Sequence, residues 1–321
     1  MSPGGILFTG IRLLAKFRKT AGPHRKDVAF LFKGVIDLEN FEKLFEVFQK
    51  KARIMGYRLF LKPAIEKIED FSELKSNTIF LVGRNGQLLK LRNDYTRSII
   101  NHLKRKNILS VSEAKFWYGG FVYRYSLSNN PSPQFQLGVE KIPFQSAEDG
   151  ANIIKIIVES YMKAFESKLL IEIGDSRVIE KAIKSIPENK KEEVLRIVDT
   201  KNAAELEVFG ELNGLDVGQL ARIVYNSFEK RSIDGIDELD IPKDVREDVY
   251  ELLRQIPDYD NVDIEIDFSI ARTIEEYHGL TFTIYDLTSS KLIAAGGRYR
   301  ISDGIYGIGG TIFLEEKSWS M

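Results

Sequence analysis

The side chains best suited to chemistry fall in three short stretches: LRNDYT at 91–96, FQLGVE at 135–140 and ARTIEEYHGLTF at 271–282. Among their side chains are the carboxylates Asp94 and Glu140 and the guanidinium of Arg272, with Thr96, Gln136 and Tyr277 beside them. An amino-acid pocket needs that set: carboxylates for the ammonium group and a fixed guanidinium for the carboxylate. Gln136 and Glu140 are four residues apart, so a strand carries both on one face. Taken singly, each has a plainer role. A lone Asp or Arg is usually a solvated or bridging charge, and Gln136 between Phe135 and Leu137 suits the outer side of a half-buried strand. The glycines at 296–297 and 307–310 suit bulges or turns. The order and spacing of several such stretches give them their weight.

The elements that must position these groups are legible in the apolar pattern. Phe41, Leu44, Phe45, Phe48, Ala52 and Met55 share one helical face, with Asp37 as its cap. Tyr57 to Ile65 is extended. Ile79–Val82 and Leu88–Leu91 flank an Asn85-Gly86 turn and form a hairpin. Asp94 to Lys104 is helical, and Phe116–Tyr125 and Phe135–Ile142 are strands joined by the Ser/Asn/Pro loop 126–133. Ser146 caps a long helix that buries Ala151, Ile154, Ile157, Val158, Tyr161 and Phe165, and Leu169–Ile173 is a strand. Residues 175–257 give four helical segments and no convincing strand, with breaks near Pro187, Thr200, Gly214 and the Asp234–Pro242 loop. Strands return at Val262–Ile270, Leu280–Tyr285, Leu292–Gly296 and Ile305–Leu314. The expected fold class is α+β: an antiparallel sheet flanked by helices, with a core of 35–174 and 258–321 interrupted by an all-helical insertion at 175–257.

Composition narrows the function. The 321 residues suit one large domain or one domain carrying an insertion. A net charge of −1 offers no general excess of Lys and Arg for nucleic acid. The absence of cysteine excludes disulfides, zinc–thiolate sites and cysteine nucleophiles, and three histidines make a histidine-rich metal centre unexpected. No metal or cofactor is expected. No apolar run approaches the roughly 18 residues of a membrane span, so a cytoplasmic protein is expected. The first 34 residues differ from the rest. Residues 1–26 contain no Asp or Glu but carry Arg12, Lys16, Arg18, Lys19, Arg25 and Lys26. Their apolar part, Ile6 to Leu14, precedes most of the basic residues, the reverse of a secretory signal. A flexible tail or an over-called translation start, with Val35 as the true beginning, is the expectation; an amphipathic targeting or membrane-surface helix is the alternative.

Four segments in order resemble histidyl-tRNA synthetase and its paralogues, over residues 38–316. LRNDYT is similar to the segment in which an acid and a Thr hold the amino group of histidine; Asp94 and Thr96 take those places. WYGGFVYRYS at 117–126 with FQLGVE looks like motif 2 of the class II synthetases, Arg124 matching its arginine and Gln136 and Glu140 matching two residues of the histidine pocket. ARTIEEYHGLTF resembles the histidine-specific segment, where Arg272 would contact the carboxylate and Tyr277 the ring. GGRYR at 296–300 and GIGGTIFLEE at 307–316 stand where motif 3 belongs.

The departures bear on function. Motif 3 of an active synthetase ends in an arginine that clamps ATP phosphate, and Glu316 stands there instead. Phe313 replaces a small residue and would crowd the adenine site. Ser126 replaces the acid that contacts adenine, and the loop 126–133 lacks its basic residue. A carboxylate in place of a phosphate-binding cation changes local charge by two units and opposes nucleotide binding. The chain also stops soon after motif 3, where the synthetases continue into an anticodon-binding domain. The resemblance therefore implies no aminoacylation and no tRNA partner. It points to the regulatory subunits of ATP phosphoribosyltransferase, in the first step of histidine biosynthesis. In that family the partner is the short-form catalytic subunit, which is activated within a hetero-octamer and inhibited by histidine. Self-association through residues 41–65 is expected from the class II pattern. Two other readings stay open: an active ligase of the synthetase superfamily, and an RNA-binding or amino-acid-sensing paralogue.

Overall fold

The computed structural model describes residues 38–68, 77–106, 113–125, 131–229, 239–270 and 277–315. The 1–34 segment, Val35 and Asp37 lie outside the described residues. Helix α1 (Leu38–Ile54) buries Leu44, Phe48 and Ala52, with Phe41, Phe45 and Met55 packed beside them, the face predicted from spacing. Strands β1 (Arg58–Leu59) and β2 (Ile65–Lys67) follow. Next come β3 (Phe80–Val82) and β4 (Leu88–Leu91), paired antiparallel. Gly86 in their turn adopts φ +76°, a conformation open to glycine. Helix α2 (Tyr95–Arg105) begins where the Asp94 carboxylate accepts the Arg97 N–H at 2.8 Å. Strands β5 (Ala114–Tyr125) and β6 (Pro131–Ile142) pair along their whole length. Ser146 precedes α3 (Ala147–Ala164), and Asp149 in its first turn accepts the Gln145 N–H at 2.8 Å.

Strand β7 (Leu169–Asp175) leads into helices α4 (Ser176–Ala182), α5 (Glu188–Asp199), α6 (Ala203–Asn213), α7 (Gly218–Glu229) and α8 (Lys243–Gln255). Among the described residues that is five helices where the sequence suggested four segments. Their apolar faces belong to the same cluster as the sheet: Val194, Ile197, Leu206, Leu220, Val245 and Val249 pack with Ile154 and Ile157 of α3 and Ile171 of β7. Arg177 fastens this region, donating to Asp175 at 2.7 and 2.9 Å, to Asp244 at 2.9 Å and to Asp248 at 2.6 Å. The chain closes with β8 (Val262–Ile266), β9 (Tyr277–Asp286), β10 (Lys291–Ser302) and β11 (Ile305–Glu315).

Eight strands form one sheet in the order β1-β5-β6-β11-β10-β9-β7-β8, and β2-β4-β3 form a small second sheet. The large sheet is antiparallel except at its two outermost pairs, β1–β5 and β7–β8, which are parallel. Its faces differ. On one, Leu137, Val139, Ile308 and Ile312 meet α1, α3 and the helices of 176–255 in the main core. On the other, Tyr118, Val122, Ile142, Tyr299 and Ile301 meet Tyr95, Ile99, Ile100 and Leu103 of α2 in a second, smaller cluster. Among the described residues no helix is long and apolar enough to cross a membrane.

Candidate functional site

The second face gathers most of the chemistry singled out in the sequence. Along β6, Gln136, Gly138 and Glu140 alternate onto it. Glu140 stands opposite Phe116 of β5 on one side and Gly309 of β11 on the other. It is 1% exposed and held by three hydroxyls. Thr96 donates to Oε1 at 2.5 Å, Tyr118 to Oε1 at 3.4 Å and Tyr299 to Oε2 at 2.8 Å. Tyr118 also shares a hydrogen bond of 2.7 Å with Thr311. Gly309 is required here: a Cβ at that position would stand 1.9 Å from Glu140 Oε2. Tyr95 stacks on Tyr118 with centroids 4.2 Å apart, and the Arg92 guanidinium lies 3.9 Å from the Tyr95 ring.

Burial disfavours the charged form of Glu140 and outweighs the hydroxyl donors, so its pKa is pushed up from 4.5 to about 7, with the Asp94 charge adding to the rise. The same carboxylate, after burial, holds the Tyr299 and Tyr118 hydroxyls well above their ordinary range. The result is a hydroxyl-lined acidic site that takes or gives a proton near neutrality.

The predicted residues are distributed as follows. Thr96 and Glu140 meet directly. Tyr277 lies across from Tyr299 in the β9–β10 pairing and packs against the smaller cluster. Asp94 stands close enough to act on the Glu140 and Tyr118 charges, while its carboxylate also caps α2. Gln136 shares the face of Glu140, but its amide donates to Gln134 at 3.0 Å. Arg272 lies outside the described residues. Of the nucleotide-site positions, Phe313 stands opposite Gln136 on the same face. Arg124 donates from Nε to the Asn93 carbonyl at 2.8 Å and stands 3.6 Å from Asp94, so it braces the start of α2. Ser126 and Glu316 lie outside the described residues. Tyr118, Tyr299 and Thr311 were missed as site residues. The signal was present: Tyr118 and Tyr299 stand across from Gly138 and Gly307, small residues that leave room for a large polar neighbour. No group of three or more His, Asp or Glu among the described residues could hold a metal ion.

A mostly antiparallel sheet with this strand order, with Glu140 and its hydroxyl donors on the face opposite its long helix, defines a class II synthetase-like core. The family model for histidyl-tRNA synthetase matches residues 36–316. The ATP phosphoribosyltransferase regulatory subunit of Thermotoga maritima is 42% identical over 284 residues, 88% of this chain and 100% of the relative. The histidine–tRNA ligase of Sulfurisphaera tokodaii is 25% identical over 84% of this chain and 67% of its own length. Among solved structures, the ATP phosphoribosyl transferase (HisG:HisZ) complex from Thermotoga maritima superposes with a TM-score of 0.75 at 41% identity, covering 87% of this chain and 98% of that one. The chain belongs to the family of ATP phosphoribosyltransferase regulatory subunits, which share the histidyl-tRNA synthetase fold. Its role is accordingly that of a regulatory subunit in histidine biosynthesis.

Proposed function

We propose that the chain activates the short-form catalytic subunit of ATP phosphoribosyltransferase in the cytoplasm and conveys histidine feedback to it within a hetero-octamer. The observation that carries this reading is the contrast within one sheet face. Thr96 and Tyr299 donate to the buried Glu140, which supports an amino-acid pocket there, while Arg124, the match to the arginine of motif 2, is spent on bracing α2. Histidine binds with its ring against Glu140 and Tyr277, its ammonium near Asp94, Thr96 and Gln136, and its carboxylate on Arg272. Regulation requires that histidine bind one state of the complex better than the other. The subunit dimerises through residues near 41–65, supported by the exposed apolar side chains of Ile54, Leu59, Leu61 and Ile65. The helices of 176–255 provide a surface for the catalytic partner.

Titration calorimetry of the isolated subunit with histidine tests the pocket. Binding is expected, and Arg272→Ala is expected to weaken it at least tenfold; binding that survives the substitution unchanged refutes this placement. Adding the chain to a short-form catalytic subunit is expected to raise phosphoribosyl transfer to ATP, and no ATP–pyrophosphate exchange is expected with histidine. Robust exchange would overturn the regulatory reading.

A further inference from the structure

Arg298 of β10 stands directly across from Ile308 of β11. Cross-strand neighbours share a face. Ile308 points at α3, where a Cβ on Gly150 would stand 3.2 Å from its Cδ1, whereas its neighbour Gly309 faces Glu140. Arg298 therefore projects from the face opposite the Glu140 site. Its guanidinium lies 4.1 Å from the Tyr306 ring centroid and 4.9 Å from that of Phe144. His278 stacks on the same Tyr306 ring at 5.5 Å and turns its Nδ1 to Glu180. Gly279 makes room for this arrangement: it adopts φ +118°, and a Cβ there would stand 2.8 Å from Arg298 Cδ.

Among the described residues Arg298 has neither a hydrogen-bond acceptor nor an ion-pair partner, and its Nε is buried without one. Other part-buried arginines have acceptors, although the Nε of Arg92 is likewise buried without one. Arg92 donates to the Lys62 and Phe121 carbonyls, Arg124 to the Asn93 carbonyl and Arg177 to three aspartates. A guanidinium flanked by rings keeps only its in-plane N–H donors for bonding, and that fork matches two oxygens of one oxyanion. An unsatisfied buried donor in a folded protein points to a missing partner.

We propose that Arg298, flanked by Tyr306 and Phe144 and given space by Gly279, binds a phosphoryl oxyanion at a site separate from the Glu140 pocket. Only the choice of phosphoryl over carboxylate rests on the proposed function, because the catalytic partner there handles phosphoryl substrates. In the full, unmutated chain, phenylglyoxal modification mapped by peptide mass reads Arg298 against the exposed Arg254. At constant ionic strength, inorganic phosphate is expected to slow modification of Arg298 at least tenfold and leave Arg254 unchanged. Equal protection by acetate would refute the phosphoryl assignment, and no protection by either anion would overturn the site. In melting experiments, phosphate is expected to raise the Tm of the wild type but not of Arg298→Gln. A rise that survives in that variant counts against the proposal.

Discussion

Glu140→Gln isolates the electrostatics of the buried carboxyl. Glu140 titrates near pH 7 in the folded chain and near 4.5 when the chain is unfolded. Between those values the folded state keeps a proton that the unfolded state has released, so stability falls as pH rises through this window and levels off above it. A shift of this size corresponds to about 3 kcal/mol, at ~1.4 kcal/mol per pKa unit. The amide has nearly the same shape and does not titrate. Below pH 4.5 the variant loses only the mispairing of one hydroxyl among Thr96, Tyr118 and Tyr299, roughly 1 kcal/mol. By pH 8 the wild type has lost about 3 kcal/mol that the variant retains, so the variant becomes the more stable protein by about 2 kcal/mol. Urea denaturation of both proteins from pH 4.5 to 8, taken as a difference at each pH, cancels every other titrating group. A difference that stays constant across the range would refute the raised pKa and, with it, the description of the site as a near-neutral acid.

Other substitutions test the framework. Gly309→Ala drives a methyl group into the Glu140 carboxylate and is expected to cost about 2–3 kcal/mol in chemical denaturation, with loss of histidine binding in calorimetry. Asp94→Ala removes the cap of α2 and is expected to cost about 1 kcal/mol, with reduced helicity by circular dichroism; an unchanged denaturation midpoint would contradict the cap. Arg177→Ala leaves the fully buried Asp175 without its guanidinium and is expected to cost about 3–5 kcal/mol at pH 8. Burial already holds Asp175 above its ordinary pKa, so protonation is expected to relieve part of that deficit at pH 4; a deficit independent of pH would argue against an unpaired carboxylate.

Much of the local architecture follows from residue order. The helical face of α1, the hairpin around Asn85-Gly86, the paired strands of the motif 2 region and the length of α3 are each set by a period or a turn residue within a dozen or so positions. The helices of 176–255 were legible as helices, yet their sharing of one apolar core with the sheet was not, since a 3.6-residue stripe states that a face is buried without naming its neighbour. The parallel pairing of β1 with β5 and of β7 with β8 was equally hidden, because strand direction depends on how the connections run.

The same division holds at the site. The sequence determined which groups are available: a carboxylate on an alternating strand, a Thr in the first turn of a helix capped by Asp94, and glycines spaced to leave room. Tertiary structure decided what they do. Thr96, Tyr118 and Tyr299 lie 44, 22 and 159 residues from Glu140 and reach it only because the register of four strands and the docking of α2 bring them to one point. Arg124 keeps the type expected of a nucleotide contact but is turned to the Asn93 carbonyl by the same packing. Residue type is fixed position by position, whereas burial, and therefore the pKa near 7 of Glu140, arises from every element that closes over it at once.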